Sequence, residues 1–183
     1  MTASETNPKD VPRIYVVSVV DQNVGREHGT WLEANQPPDE IRRQIAVMLA
    51  ASRMPTAEGW AIQHCQHFGD LQLSGCNDLA FVAESARLVV EHGAVFAALL
   101  NHFDRDLDKA KTYMEDAHCG DYGDLGWYAA TFANDLYHEQ LMCLPDFIRN
   151  RIDWDAAGEA LRIEGAILTI ELDGVFHVFD SQL

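Results

Sequence analysis

The sequence predicts an α+β fold, in which strands and helices occupy separate parts of the chain. A β-branched run at residues 13–20 is typical of a strand, whereas apolar residues recur with a helical period from Asn77 onward. Near the end, an Asp173-Gly174 pair between two apolar segments is typical of a β-hairpin turn. Because strands and helices do not alternate, the order of elements favours α+β over a βαβ architecture.

The first third of the chain predicts a small β-sheet with one helix. The strand at residues 13–20 is followed by turn residues 21–25 and a second short strand at 29–33. Pro37 and Pro38 begin a helix whose buried face is formed by the residues Ile41, Ile45, Met48 and Leu49. Residues 60–65 can return as a third strand, so residues 11–76 form one small sheet, preceded by a disordered lead at residues 1–10.

The remaining residues are predicted to be largely helical. A helix that carries Leu79 and Val82 on its apolar face ends at His92-Gly93. Further helices are predicted over residues 95–103, 107–117 and 124–140, with a loop around Gly120 and Gly123. Pro145 opens a helical turn, Asp153 caps a last helix that Gly165 ends, and residues 167–171 and 175–179 form the hairpin.

Composition limits the class of protein. With 183 residues, 48% of them hydrophobic, the chain can bury a core, so its acidity is not a sign of disorder. No apolar run approaches the roughly 20 residues that a bilayer span requires, and the start has no signal-peptide pattern. Four cysteines without a CxxC pair indicate reduced thiols, and therefore a cytoplasmic protein.

Acidic residues are in large excess and unevenly distributed. Residues 1–100 contain 12 acids and 7 bases, and residues 101–183 contain 17 acids and 6 bases, which gives net charges of −5 and −11. Such a chain repels nucleic acids and anionic membranes. The excess predicts either a surface that serves solubility or life in high salt, or an acidic surface presented to a partner that binds polyanions.

Motifs for chemistry are weak throughout the chain. Asp104, Asp106, Asp108 and Glu115 fall at ligand positions of an EF-hand, but Lys109 stands where the calcium loop needs glycine, so a helix start is the better interpretation. His64, Cys65 and His118-Cys119 lack zinc-like spacing. No GxSxG elbow, P-loop or GxGxxG occurs. The sequence therefore predicts no catalytic residue, cofactor, metal or small-molecule substrate.

The spacing of the acids offers a different kind of site. Helix neighbours at i and i+4 are about 6 Å apart. This is close to the distance between successive phosphates of one DNA strand. A discontinuous row of carboxylates could thus imitate a phosphate backbone, although solvated outer helix faces explain the same pattern. The candidates are Asp104, Asp106, Asp108, Glu115, Asp116, Asp121, Asp124, Asp135, Glu139, Asp146, Asp153, Asp155 and Glu159.

Short motifs in a fixed order resemble the ArdA antirestriction proteins over residues 12–179. Each motif alone is weak, and their order and spacing together are specific. They include Asn23-Val-Gly25, His28-Gly-Thr-Trp31, Glu58-Gly-Trp-Ala-Ile-Gln-His64, Val90-Val-Glu-His-Gly93, Gly120-Asp-Tyr122, Ile152-Asp-Trp-Asp155 and Val175-Phe-His-Val-Phe179.

This resemblance implies a non-enzymatic inhibitor from a bacterial mobile element. Such proteins imitate B-form DNA, occupy the DNA-binding groove of type I restriction–modification enzymes and block restriction, often with modification. The resemblance also implies an elongated chain of three small domains, at residues 11–76, 77–116 and 117–183. It implies a homodimer formed through the C-terminal domain, for which Val175, Phe176, Val178 and Phe179 are the candidate contacts.

Two other functions compete with this expectation. One is an acidic decoy for another basic DNA-binding protein, such as a repressor or nucleoid protein. The other is an enzyme with an acidic pocket, which requires a concave site with converging carboxylates. The first hundred residues carry Arg42, Arg43 and Arg87 on predicted helices. This leaves open whether the whole chain, or only the part past residue 100, would imitate DNA.

Overall fold

The computed structural model describes residues 11–54 and 58–182, and the predicted lead at residues 1–10 lies outside them. Within the described ranges the chain forms eight α-helices and two three-stranded antiparallel sheets, which confirms the mixed α+β class. The chain divides into two compact units between Leu107 and Asp108. None of the helices in these ranges is long and apolar enough to span a bilayer. The three-domain division and elongated arrangement stay predictions.

The first sheet has β1 (Arg13–Ser18) between β2 (Gly29–Glu33) and β3 (Trp60–Gln66). The three predicted strands are therefore confirmed, although the first ends two residues early. Val19 and Val20 instead begin a short helix, α1 (Val19–Asn23), where a turn was predicted after residue 20. The backbone N–H of Asp21 donates to the Ser18 hydroxyl at 3.3 Å, so Ser18 caps this helix and ends the strand.

Helix α2 (Pro38–Ala50) covers the sheet with Ile41, Ile45 and Met48, as the helical period predicts. Next come α3 (Leu79–His92), α4 (Ala94–His102) and α5 (Leu107–Thr112). The Asp78 carboxylate accepts from the N–H groups of Ala80 and Phe81, which fixes the start of α3. Helix α4 is the most deeply buried, since its Phe96, Leu99 and Leu100 have no exposed surface. These residues form much of the core of the first unit.

The second sheet corrects one prediction. The segment around Gly120, predicted as a loop, is strand β4 (His118–Tyr122), which follows a π-helical segment, Tyr113–Ala117. It pairs with β6 (Val175–Asp180), which also pairs with β5 (Ile167–Leu172) in the predicted hairpin. The sheet order β4-β6-β5 makes β6 the central strand. The residues around Gly120 are of the types common in turns, and this segment is a strand because it pairs with β6.

After α5, which begins at the boundary, the second unit contains α6 (Leu125–Met142), α7 (Asp146–Arg149) and α8 (Trp154–Ile163). Helix α6 is interrupted at Tyr137, whose φ of −125° and ψ of 25° are not helical. Helices α6 and α8 approach closely at Gly126 and Gly158. A Cβ added at Gly158 would lie 2.3 Å from the Leu125 carbonyl oxygen, so only glycine fits there. The unit's core packs around Leu125, Tyr128, Ile167 and Val178.

Candidate functional site: an acidic surface

Nearly all of the predicted carboxylates lie on the surface. Of the thirteen candidates, twelve are exposed and Glu159 is half-buried. Asp104 and Asp106 lie in the first unit, and the other eleven lie in the second. Exposure keeps a carboxylate charged and accessible, so these residues are available to a large partner.

The two units differ in charge. Residues 1–107 contain 14 acids and 8 bases, a net charge of −6, whereas residues 108–183 contain 15 acids and 5 bases, a net charge of −10. The second unit is thus the more acidic although it is the shorter. The acidic excess that the sequence shows past residue 100 therefore coincides with one folded unit.

Three arginines on α2 and α3 of the first unit form ion pairs with acids about one turn away on the same helix. On α2, Arg42 contacts Asp39 at 2.5 Å, and Arg43 contacts Glu40 at 2.5 Å. The hydrogen bond from Arg43, with a smaller contribution from Gln44, lowers the pKa of Glu40 to about 2. On α3, Arg87 contacts Glu84 at 3.0 Å and also pairs with Glu91. The helices of this unit consequently present paired charges rather than a run of one sign.

In the second unit fewer acids have such partners. Arg149 pairs with Asp146 on α7, and Arg162 pairs with Glu159 on α8. The hydrogen bond from Arg162 lowers the pKa of Glu159. Among the residues that the structure describes, most other candidates of this unit form no ion pair with Lys or Arg, including Asp116, Asp135, Glu139 and Asp155. Their charge is left for solvent or for a partner.

The close approach of α6 and α8 groups three carboxylates at two helix N-termini. Asp124 accepts from the Trp127 N–H at 2.6 Å, and Asp153 accepts from the Ala156 N–H at 3.0 Å. Asp155 lies against Gly126, since a Cβ added there would meet its Oδ1 at 2.1 Å. The positive ends of the two helices favour these negative charges. These three carboxylates are therefore fixed in position by the packing of α6 against α8, and their negative charges are compatible with that packing.

The regular helical spacing expected of two acid pairs is not present. Asp104 has a φ of +49° and precedes α5, so it does not share a helix with Asp108. Asp135 and Glu139 lie on either side of the non-helical Tyr137 in α6. Residues 107–112 are helical, as expected from the rejection of the EF-hand interpretation. Any phosphate-like spacing must therefore come from the tertiary arrangement of the carboxylates.

Asp121 has an environment that the sequence analysis missed. Its Oδ1 lies 3.0 Å from His118 Nε2 and 2.6 Å from His177 Nδ1. His177 is 56 residues away in the chain, and the pairing of β4 with β6 brings it opposite Asp121. His118, three residues before Asp121, was the one signal in the sequence for this environment.

The candidate dimer residues on β6 differ in accessibility. Val178 and Phe179 have no exposed surface, whereas Val175 is 36% exposed and Phe176 packs half-buried against the core of the second unit. As the central strand, β6 already has backbone partners on both sides. A contact made by this strand would therefore use side chains, with Val175 the most accessible.

A cavity of about 420 Å³ in the second unit is lined mainly by aromatic and apolar residues, with Asp135 and Asp180 at its wall. Burial raises the pKa of Tyr128 well above its usual value, and burial likewise raises the pKa of Tyr122. Both phenols are therefore neutral at pH 7. The acidic candidates do not converge on this cavity, which gives no support to an enzyme with an acidic pocket.

Comparison with known proteins identifies the family. Residues 14–176, which make up most of the chain, match the family described as Antirestriction protein (ArdA). No curated protein matches the chain. Members of this family are inhibitors and not enzymes, in agreement with the absence of a catalytic motif from the sequence. Because the match covers residues 14–176 of 183, the chain belongs to the ArdA antirestriction family.

Proposed function

We propose that this ArdA-family protein inhibits a type I restriction–modification enzyme by imitating duplex DNA. Its acidic surface occupies the enzyme's DNA-binding groove and blocks restriction, together with modification because both activities need that groove. The second unit carries most of the imitation. No nucleic acid, cofactor or small-molecule substrate takes part.

The observation that carries this proposal is the exposed, weakly neutralised charge of the second unit. This unit has a net charge of −10, and carboxylates such as Asp135 and Glu139 are exposed without an arginine or lysine partner in its described residues. A basic groove that binds phosphates attracts such a surface over several ångströms. In the first unit, ion pairs on α2 and α3 weaken the same attraction.

A homodimer would extend the acidic surface. Two chains carry a charge of −32, twice the −16 of one chain. Since duplex DNA has one charge per ~1.7 Å, this equals about 54 Å of duplex, or roughly 16 base pairs. A longer imitation would have a lower charge density than DNA, so its fit to the groove would depend on shape as well as charge.

Exposed apolar side chains support self-association through the second unit. Phe147 is 74% exposed, Ile163 72% and Trp127 60%, and Val175 adds to this set at the hairpin. Scattered apolar residues are normal on a surface, but the second unit has most of the large ones among the described residues. We propose that some of them are covered by a second copy.

Salt dependence of binding to a purified type I enzyme tests the proposal. The inhibitor should compete with DNA, and its affinity should fall steeply between 50 and 200 mM salt, on the order of tenfold or more, because a basic groove exchanges bound anions for the inhibitor. A neutral, groove-independent ligand of the enzyme serves as the control. Affinity that stays constant across this range contradicts DNA mimicry.

The same binding assay distinguishes inhibition of a type I enzyme from the alternative function, a decoy for another basic DNA-binding protein. A repressor or nucleoid protein of the host is titrated with the inhibitor at the same salt concentrations. The proposal predicts that the type I enzyme is bound much more tightly than either protein. Equal or tighter binding to the repressor or nucleoid protein would instead favour a general decoy for basic DNA-binding proteins.

A further inference from the structure

Strand β4 contains an extra residue that places two polar side chains on one face. His118 pairs with Phe179 and Asp121 pairs with His177, so four residues of β4 lie opposite three residues of β6. In a regular strand, residues three apart point to opposite faces. The bulge at Cys119 absorbs the odd residue, and His118 therefore faces the same side as Asp121 and His177.

Gly120 makes this bulge possible. Its φ of +123° lies in the region that L side chains rarely adopt, and a Cβ at this position would approach the Tyr122 ring at 3.3 Å. The His118 ring also packs against the Phe179 ring, with centroids 5.0 Å apart. Backbone geometry and an aromatic contact thus hold one imidazole in place, while β6 holds the other.

Three potential ligand atoms meet at this point. His118 Nε2, His177 Nδ1 and an Asp121 oxygen lie within 4.8 Å of one another. The two imidazoles are half-buried, whereas the Asp121 side chain is 54% exposed and can adjust. A tetrahedral zinc ion with ligands at 2.0–2.1 Å requires ligand atoms about 3.3 Å apart. The observed distances of 3.0 and 2.6 Å from Asp121 Oδ1 need only a small opening.

We propose that His118, Asp121 and His177 bind one divalent transition-metal ion of the zinc class. Two imidazoles and one carboxylate suit zinc, and three protein ligands leave a fourth position for water. Such an ion would link β4 to β6 across 56 residues of chain, and its charge would offset part of the acidity around it. The site goes beyond the proposed inhibition, since its binding can be measured without a restriction enzyme.

Zinc titration of the untagged, full-length, metal-free protein by calorimetry tests this site. We expect one zinc ion per chain with micromolar or tighter affinity. Asp121→Asn and His177→Gln should each weaken binding at least tenfold, because each removes one ligand. Matched controls in the same unit, Asp135→Asn and His138→Gln, should leave the affinity unchanged. Cys119→Ser should also leave it unchanged, since the Cys119 thiol is directed to the Ala117 carbonyl.

Thermal unfolding gives a second readout that does not depend on calorimetry. Zinc should raise the midpoint of the wild-type protein and raise that of Asp121→Asn by clearly less at the same zinc concentration, because a ligand stabilises the folded state in proportion to how tightly it binds that state. Asn keeps the size and the acceptor oxygen of Asp, so the variant should fold. Absence of one-to-one binding overturns the proposal. Equal affinity in the wild type and both ligand variants, or loss of binding in Cys119→Ser, overturns it as well.

Discussion

The two units contain nearly equal numbers of acidic residues, 14 and 15, yet they present different surfaces. In the first unit, arginines on α2 and α3 contact acids one turn away, and those charges meet solvent as pairs. In the second unit, most acids lie at helix ends or on exposed faces with few arginines nearby. The comparison shows that the smaller number of bases, 5 against 8, more than the number of acids, makes the second unit the more negative.

The units differ in their apolar surface as well. The first buries Phe68, Phe96 and several leucines completely, whereas the second has a smaller buried cluster and exposes Phe147 and Ile163. A unit with exposed charge and exposed apolar groups is suited to contacts with other proteins. Among its described residues, the first unit exposes only two large apolar side chains, Val24 and Val47.

The largest expected effect comes from disrupting the second unit at Gly158. Gly158→Ala places a Cβ 2.3 Å from the Leu125 carbonyl oxygen. Because this contact is with backbone, the clash can be relieved only if the backbone of α6 or α8 moves. We expect a loss of about 3 kcal/mol in unfolding free energy, measured by chemical denaturation, together with loss of inhibition. Gly123→Ala is the matched control, since its Cβ would meet no atom within 4 Å. Equal stability of the two variants would show that α6 and α8 do not pack as described.

The second effect concerns the proposed dimer. Val175→Glu puts a charge on the hairpin of the second unit, and we expect sedimentation to shift toward the monomer because the charge must be desolvated at an interface. Val47→Glu, at a 61% exposed valine of the first unit, should leave the distribution unchanged. If the profiles of both variants match the wild type, the interface lies elsewhere.

A smaller effect is expected at Asp21 in the first unit. The Ser52 hydroxyl donates to Asp21 Oδ2 at 2.6 Å, and this bond, with that of Ser18, lowers the pKa of Asp21 below its ordinary value of 3.8. Ionised Asp21 therefore stabilises the fold above about pH 4, and this contribution is lost as the pH falls through the lowered pKa. Ser52→Ala should cost about 1–2 kcal/mol at pH 7.

The same substitution should cost less as the pH falls below 3.8, where Asp21 is protonated in the unfolded chain, and the cost should be lost once the pH passes the lowered pKa of the folded state. Denaturant unfolding of the wild type and Ser52→Ala at several pH values measures this difference. A cost that grows toward low pH would contradict the role of the ionised carboxylate.

The smallest effect is at an exposed ion pair. Arg43→Gln removes the main cause of the lowered pKa of Glu40, which should rise from about 2 toward its ordinary value of 4.5. Arg42→Gln is the control, because Arg42 contacts Asp39 instead. Titration followed by NMR measures both. If the pKa of Glu40 is unchanged in Arg43→Gln, Arg43 does not form the ion pair with Glu40 that the structure shows.

Local signals predicted much of the fold. Asp153 caps a helix where the sequence places it, and the Asp173-Gly174 pair forms the turn between β5 and β6. Strand β4 was missed because glycine-rich residues around Gly120 are typical of turns, and only the distant β6 makes them a strand. A single sequence contains no direct signal for such a pairing.

The candidate site divides in a similar way. Exposure of the acids follows from their polarity, so their place on the surface was predictable. The break in α6 at Tyr137 was not, since no proline or glycine marks it, and neither was the meeting of His118 with His177 across the sheet. Properties set by residue type were foreseen, whereas those set by tertiary pairing were not.

Two charge-matched variants test the central claim, that the acids of the second unit carry the inhibition. Each variant loses four exposed carboxylates without deleting bulk, and Asn at position 124 keeps an acceptor for the helix cap. The second-unit variant combines Asp116→Asn, Asp124→Asn, Asp135→Asn and Glu139→Gln. The first-unit variant combines Glu27→Gln, Glu33→Gln, Glu58→Gln and Asp70→Asn.

The measurement is competition with DNA for a type I enzyme at one salt concentration. If each exposed charge contributes about 0.3–0.7 kcal/mol, the second-unit variant should bind about 10- to 100-fold more weakly than the wild type. The first-unit variant should lose less than about threefold in affinity. This corresponds to less than about 0.2 kcal/mol for each of its four carboxylates. Equal losses in the two variants, or a larger loss in the first-unit variant, would contradict the account.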